Sequence, residues 1–223
     1  MKPAIFSFIG ASGSGKTTLI CQLVSHFLQQ GYRVGVVKHA MTNIELDKKG
    51  KDSWLFREQG AQGVLIHAPN QTAYITDADT EDSLIESLFT KFHDFDIVFV
   101  EGHKAVPKFD KIAVLRSSIN KELPDQTHSL IAIVSDFPVE SDLPRFDHTT
   151  IQELSDFLIQ RMDNKKKKQL YVRVNGKRIP TNPFVEEIIG NILTGALATL
   201  KGIEHPIQAI QLYYDRHQED QKK

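Results

Sequence analysis

Gly10-Ala11-Ser12-Gly13-Ser14-Gly15-Lys16-Thr17 matches the pattern G-x-x-x-x-G-K-[ST] at every fixed position. Just before it, Ala4 to Ile9 is a short apolar, aromatic-rich run of strand length. Just after it, Leu19, Ile20, Leu23, Val24, Phe27 and Leu28 recur at helical spacing between Thr17 and Gln30. Strand, glycine loop and helix together form the phosphate-cradling P-loop. Glycines let the backbone wrap tightly, so consecutive N–H groups and the helix N-terminus point at phosphate oxygens. The nucleotide-binding set is then Gly10, Ser12, Gly13, Ser14, Gly15, Lys16, Thr17 and Thr18. Lys16 is expected to reach the β- and γ-phosphates, and the Thr17 hydroxyl to ligate Mg²⁺. The bland alternative is a flexible Gly/Ser turn before an ordinary helix.

Composition narrows the class. At 223 residues the chain accommodates one α/β domain plus a smaller appendage, and 40% hydrophobic residues suffice for a core. A net charge of −1 supplies no basic excess for nucleic-acid binding. The single cysteine, Cys21, excludes an internal disulfide and fits a reducing cytosol; its place on the first helix reads as core packing. Lys2 ahead of an apolar run imitates a signal peptide, but the run is too short and leads straight into the P-loop. No apolar segment approaches the length of a membrane span. The expectation is a soluble, cytoplasmic protein without nucleic-acid or membrane partners.

Farther along, Arg33 to Lys38 reads as a strand, and Ser53 to Gln59 as a helix closed by Gly60. Gly63 to His67 and Ala73 to Thr76 read as a hairpin around Pro69-Asn70, and Glu81 to Phe92 as an amphipathic helix. Asp96 to Val100, Lys111 to Leu115 and Leu130 to Val134 are further strands, and Ile151 to Met162 is a helix. This alternation predicts an α/β, P-loop NTPase-type, mainly parallel sheet with helices on both faces and ligand at the strands' C-terminal ends. The nucleotide-binding domain spans 1–162 and a lysine-rich linker 163–168. A small C-terminal hairpin-helix-strand extension covers 169–214, and 215–223 reads as a disordered tail. In the extension, Asn175-Gly176 marks the hairpin turn, and Pro183 opens a helix to Leu200 with Gly202 as its stop. The stripe Phe184, Ile188, Ile192 must be buried on the main domain or on another subunit. Ile207 to Tyr213 reads as a final edge strand.

A P-loop holds phosphates; hydrolysis also requires metal support and an oriented water. Asp96-Ile97-Val98-Phe99-Val100-Glu101-Gly102 is a buried strand ending in an acid, which places Glu101 beside the P-loop as the second metal-side group. Lys16 and Glu101 are therefore the catalytic candidates, and Thr17, Asp47 and Glu101 the metal set. Asp47 enters through the polar segment Asp47 to Ser53, which has the placement of a switch loop; Asp52 or Ser53 is alternatively the N-cap of the next helix. Lys38-His39 faces the same cleft. His39, His67 and His103 lie near strand ends, but their spacing is not that of a metal site. Arg57 is the arginine nearest the switch-like segment and reads as helix surface.

With these residues placed, the chain resembles the MobB family of molybdopterin-guanine dinucleotide biosynthesis adaptor proteins. The matching blocks are Gly10 to Thr18, Val37-Lys38-His39, and Asp47-x-x-Gly50-Lys51-Asp52-Ser53 with Gly60-Ala61. Val100-Glu101-Gly102-His103-Lys104 and Lys111-Ile112 complete the set, over roughly residues 4–160. The segment Asn182 to Gly202 resembles an extension carried by only some members. The resemblance implies a homodimer that binds GTP and Mg²⁺ with weak GTPase activity. It further implies a partner, the molybdopterin guanylyltransferase that joins GMP to molybdopterin. The Asn-Lys-x-Asp guanine signature is absent. Asp136, ending a late strand, either accepts from guanine N1 and N2 or caps a turn before Pro138. The alternatives are a small-molecule kinase or ATP-dependent ligase on the same fold, and an interaction module whose P-loop is structural.

Overall fold

Strand β1 (Ala4–Ile9) is apolar on both faces: Phe6 and Phe8 enter one core cluster, while Ile5 packs into another on the opposite side. Strand β5 (Ile97–Glu101) repeats the pattern, with Ile97 and Phe99 on one face and Val98 and Val100 on the other. Strands of this kind belong in the middle of a parallel sheet covered on both sides. In the computed structural model they are neighbours in a sheet of order β2-β5-β1-β6-β7-β8, with β2 Val34–Lys38, β6 Asp110–Leu115, β7 Leu130–Ser135 and β8 Arg145–Phe146. Every pairing in this sheet is parallel. The structure describes residues 3–40, 44, 46–77, 88, 91–102, 109–124, 129–164, 170, 172–174, 177–203, 206–207, 210 and 212.

Helices α1 (Lys16–Gln29) and α3 (Ile151–Asn164) cover one face. Leu19, Ile20, Leu23, Phe27, Leu154 and Leu158 interlock there with Phe6, Phe8 and Phe99. Phe99 takes Phe8 and Phe27 edge-on, at ring-centroid distances of 5.6 and 5.7 Å. The other face carries Leu88, Phe92, Phe95 and Phe109 against Val98 and Val100. Helix α2 (Asp52–Glu58) leads into a separate antiparallel hairpin, β3 (Gly63–Ala68) and β4 (Gln71–Thr76), turning at Pro69-Asn70.

The described residues fall into two compact units, Lys2–Met162 and Asp163–Lys223. The second holds a short hairpin, β9 (Val172–Val174) and β10 (Lys177–Ile179), and helix α4 (Pro183–Ala198). Asn182 caps α4 by accepting the Val185 N–H at 2.9 Å, with Pro183 at the first helical position. No residue of α4 is buried. Among the described residues, no helix is long and apolar enough to cross a membrane.

Several expectations differ. The helix expected to stop at Met162 runs on to Asn164, through the first two positions of the expected linker. Cys21 is exposed, because one step past Ile20 turns a further 100° around the helix, away from the buried stripe. Asp52 is the first residue of α2; Lys51 occupies the N-cap and makes no side-chain cap bond, so neither Asp52 nor Ser53 is the cap. α4 ends at Ala198, short of Leu200. The expected helix over 81–92, the linker at 163–168, the 175–176 turn, the strand over 207–213 and the tail at 215–223 lie wholly or mostly outside the described residues, as do His103 and Lys104.

Candidate functional site

The loop between β1 and α1 is shaped by its glycines. A Cβ on Gly10 would collide with the Val114 carbonyl oxygen of β6, so only glycine lets the chain leave β1 so close to its neighbour. Gly15 sits at the N-cap of α1 in the left-handed conformation (φ 95°), and no side chain caps the helix. The first amides of α1 thus remain directed at whatever anion enters the loop.

A cleft of about 350 Å³ opens there. Ser12, Gly13, Gly15, Lys16, Thr17 and Thr18 line it from the loop and α1, and Lys38 and Glu101 from the ends of β2 and β5. The Lys16 ammonium folds back on its own loop, donating to the carbonyl oxygens of Ala11 (2.7 Å) and Gly10 (3.1 Å). Phosphate oxygens are the stronger acceptors that would draw it out. Ser14 faces the other way: its hydroxyl is buried without a hydrogen-bond partner, and its N–H donates to the Ala11 carbonyl at 3.3 Å.

Glu101 is held from both sides. The His39 N–H donates to its carbonyl oxygen at 3.0 Å, the Gly102 N–H to the Phe8 carbonyl oxygen at 2.9 Å, and the Ser7 hydroxyl to the Gly102 carbonyl oxygen at 2.6 Å. So positioned, its Oε1 accepts the Thr17 hydroxyl at 3.0 Å, across 84 residues of sequence. Two neighbouring ligands of an octahedral ion with metal–oxygen distances near 2.1 Å lie about 3.0 Å apart. The pair therefore fits Mg²⁺, which takes one or two protein oxygens and completes its shell with water and phosphate. Among the described residues, no cluster of three His, Cys, Asp or Glu competes as a metal site.

The remaining candidates lie outside this cleft. Asp47 accepts the Ser53 hydroxyl at 2.9 Å through Oδ1, while its Oδ2 is buried without a partner; neither residue lines the cleft. Arg57 pairs with Asp77 at 3.1 Å on the surface. His67 bonds Thr72 at 2.9 Å within the hairpin. Asp136, just past β7, accepts the Ser117 N–H at 2.7 Å and the Ser117 hydroxyl at 3.1 Å. The Ser117 N–H, then the Ser117 hydroxyl and the Arg116 charge, hold its carboxyl below the usual carboxylate range.

Two residues beside the loop escaped the sequence reading. The Arg116 guanidinium, immediately after β6, lies 3.3 Å from where a Cβ on Gly15 would stand, and the His148 ring 3.5 Å from it. A His148 ring nitrogen, Nε2, is 2.8 Å from the Leu115 carbonyl oxygen, which fixes the imidazole against the end of β6. The signal for Arg116 was its place at the end of a buried strand, although only the sheet order reveals that β6 adjoins β1.

Comparison with known proteins fits this geometry. The family described as molybdopterin guanine dinucleotide synthesis protein B matches residues 5–136. The chain belongs to that family. It is 34% identical over 156 residues to the molybdopterin-guanine dinucleotide biosynthesis adapter protein of Haemophilus influenzae, covering 69% of this chain and 86% of the relative. A Methanocaldococcus jannaschii protein that carries the same adapter name provisionally is 25% identical over 224 residues, covering 91% of this chain and 94% of its own. That coverage reaches well into the second unit, so this MobB relative shares much of the C-terminal extension. A crystal structure of molybdopterin-guanine biosynthesis protein B superposes with a TM-score of 0.56 at 27% identity, covering 71% of this chain and 99% of that one.

Proposed function

We propose that this MobB-family chain binds GTP with Mg²⁺ in the cleft between the P-loop and Glu101. In this role it serves as the adapter to the guanylyltransferase that attaches GMP to molybdopterin. The observation that carries the reading is the Thr17–Glu101 contact at 3.0 Å, which pairs the P-loop hydroxyl with an acid at the end of the adjacent strand. Lys16 and the α1 amides would hold the phosphates, and Thr17 and Glu101 the metal, whose charge would offset that of the bound triphosphate.

Hydrolysis is expected to be slow. Among the residues lining the cleft there is no arginine, and Glu101, the one acid there, is engaged with Thr17. Phosphoryl transfer without an arginine finger or a water-orienting group proceeds slowly. Such a protein presents nucleotide and leaves the transfer chemistry to its partner. The reading also takes the chain as a cytoplasmic homodimer, with residues 1–162 as the nucleotide domain and 169–214 as an appended element.

Calorimetric titration with Mg·GTP and Mg·ATP, on wild type and Lys16→Ala, tests this. GTP preference that disappears in Lys16→Ala supports it. Equal binding of ATP, or phosphate transfer to an added pterin or nucleoside, would replace the adapter with a kinase or ligase. Light scattering checks the dimer.

A further inference from the structure

We infer that the carboxyl ends of β6 and β7 form the pocket that selects guanine, with Arg116 donating to the O6/N7 edge, Asp136 accepting from N1 and N2, and Ser117 positioning Asp136. The inference rests on the GTP reading above and names the residues that would impose it.

Position comes first. Glu101 and Thr17 mark the metal and γ-phosphate end, on the β5 side of β1. Arg116 and Asp136 follow β6 and β7, on the opposite side. With strands about 4.8 Å apart, the three steps from β5 to β7 span about 14 Å, so a nucleotide with its γ-phosphate at Glu101 carries its base towards Asp136.

Chemistry comes second. Arg116 and Asp136 are close enough for the arginine charge to act on the carboxylate, yet the ion pairs among the described residues do not join them. Arg116 Nε is buried and has no hydrogen-bond partner, an uncommon state for a buried donor. Ser117 fixes both Asp136 oxygens, through its N–H at 2.7 Å and its hydroxyl at 3.1 Å. Each of those oxygens retains a lone pair for a second donor.

A rigid acceptor beside an unsatisfied donor is the complement of guanine. Guanine offers acceptors at O6 and N7, where a guanidinium binds in a fork, and donors at N1 and N2. Adenine keeps the N7 acceptor but reverses the pattern at positions 6 and 1: its N6 amino group would face the arginine and its N1 lone pair the carboxylate. A site built to hydrogen-bond rejects a ligand that leaves its polar groups unpaired. The chain lacks the Asn-Lys-x-Asp signature because, on this reading, two strand ends divide the work.

The test is calorimetry on the full chain with Mg²⁺ and five nucleotides: GTP, ATP, ITP, 7-deaza-GTP and XTP. Wild type should bind GTP best, with ITP (no 2-amino group) and 7-deaza-GTP (no N7) each roughly tenfold weaker. In Arg116→Met, GTP and 7-deaza-GTP should bind alike while ATP loses less affinity than GTP; Asp136→Asn should prefer XTP to GTP. Equal losses of GTP and ATP in Arg116→Met would make Arg116 a phosphate ligand and overturn the inference, as would wild type binding 7-deaza-GTP and ITP as tightly as GTP. The wild-type analogue series decides the question even if a variant fails to fold. Wild type binding ATP as well as GTP is a separate outcome, which removes the GTP reading and this inference with it.

Discussion

Helices α1 and α4 are of similar length, 14 and 16 residues, and both carry apolar side chains at helical spacing. α1 buries Leu19, Ile20, Leu23 and Phe27 beneath the sheet, whereas α4 has no fully buried residue and leaves Phe184 70% and Ile192 64% exposed. Periodicity thus reports that a helix has an apolar face. It does not report what covers that face, which depends on contacts far away in sequence. For α1 the cover is dictated nearby, since the P-loop joins it directly to β1 and leaves it little choice but to pack there.

The largest expected effect lies at Phe27. It is fully buried, edge-on to Phe99 and to Tyr32 at 5.3 Å. Phe27→Ala should cost about 3–5 kcal/mol in urea denaturation, through lost transfer energy and the cavity left behind. Phe184→Ala in α4 should stay within about 0.5 kcal/mol, as surface substitutions do. Similar losses at the two positions would break the comparison and show that α4 is covered in solution.

A smaller effect separates the helix starts. α1 begins at Gly15 with no side-chain cap, held by packing and suited to receive an anion. α4 has no buried residue, so its end depends on Asn182 and Pro183. Asn182→Ala should destabilise the start of α4 by about 1 kcal/mol, read as faster hydrogen exchange at the Val185 amide. Unchanged exchange there would mean that contacts, and not the cap, hold α4.

The same contrast explains how much of the molecule was legible beforehand. β1, the P-loop, α1 and the β5 strand ending in Glu101 each announce themselves by a local pattern, and the Thr17–Glu101 contact follows once β1 and β5 are neighbours. Arg116 could not be found this way, because its nearness to Gly15 depends on β6 lying on the other side of β1. β8, with only Arg145 and Phe146, is too short to show any period. Asp136 was visible as an acid after a strand, but its clamp by Ser117 joins positions 19 apart through the β6–β7 pairing.

That clamp yields the smallest effect and sharpens the comparison of the two units. Asp136 is held below its ordinary value of 3.8, chiefly by the Ser117 N–H. A carboxylate lowered on folding contributes stability above its unfolded value, and that contribution is lost as pH falls through the lower folded value. Wild type should therefore melt slightly higher than Asp136→Asn at neutral pH, and the gap should close as the pH drops below 3.8. The gap is small because the group is exposed and water screens it. Ser117 and Asp136 both lie within Lys2–Met162, so a chain truncated after Asn164 should show the same closing gap. If truncation abolished it, the Ser117–Asp136 clamp would not by itself account for the acid response.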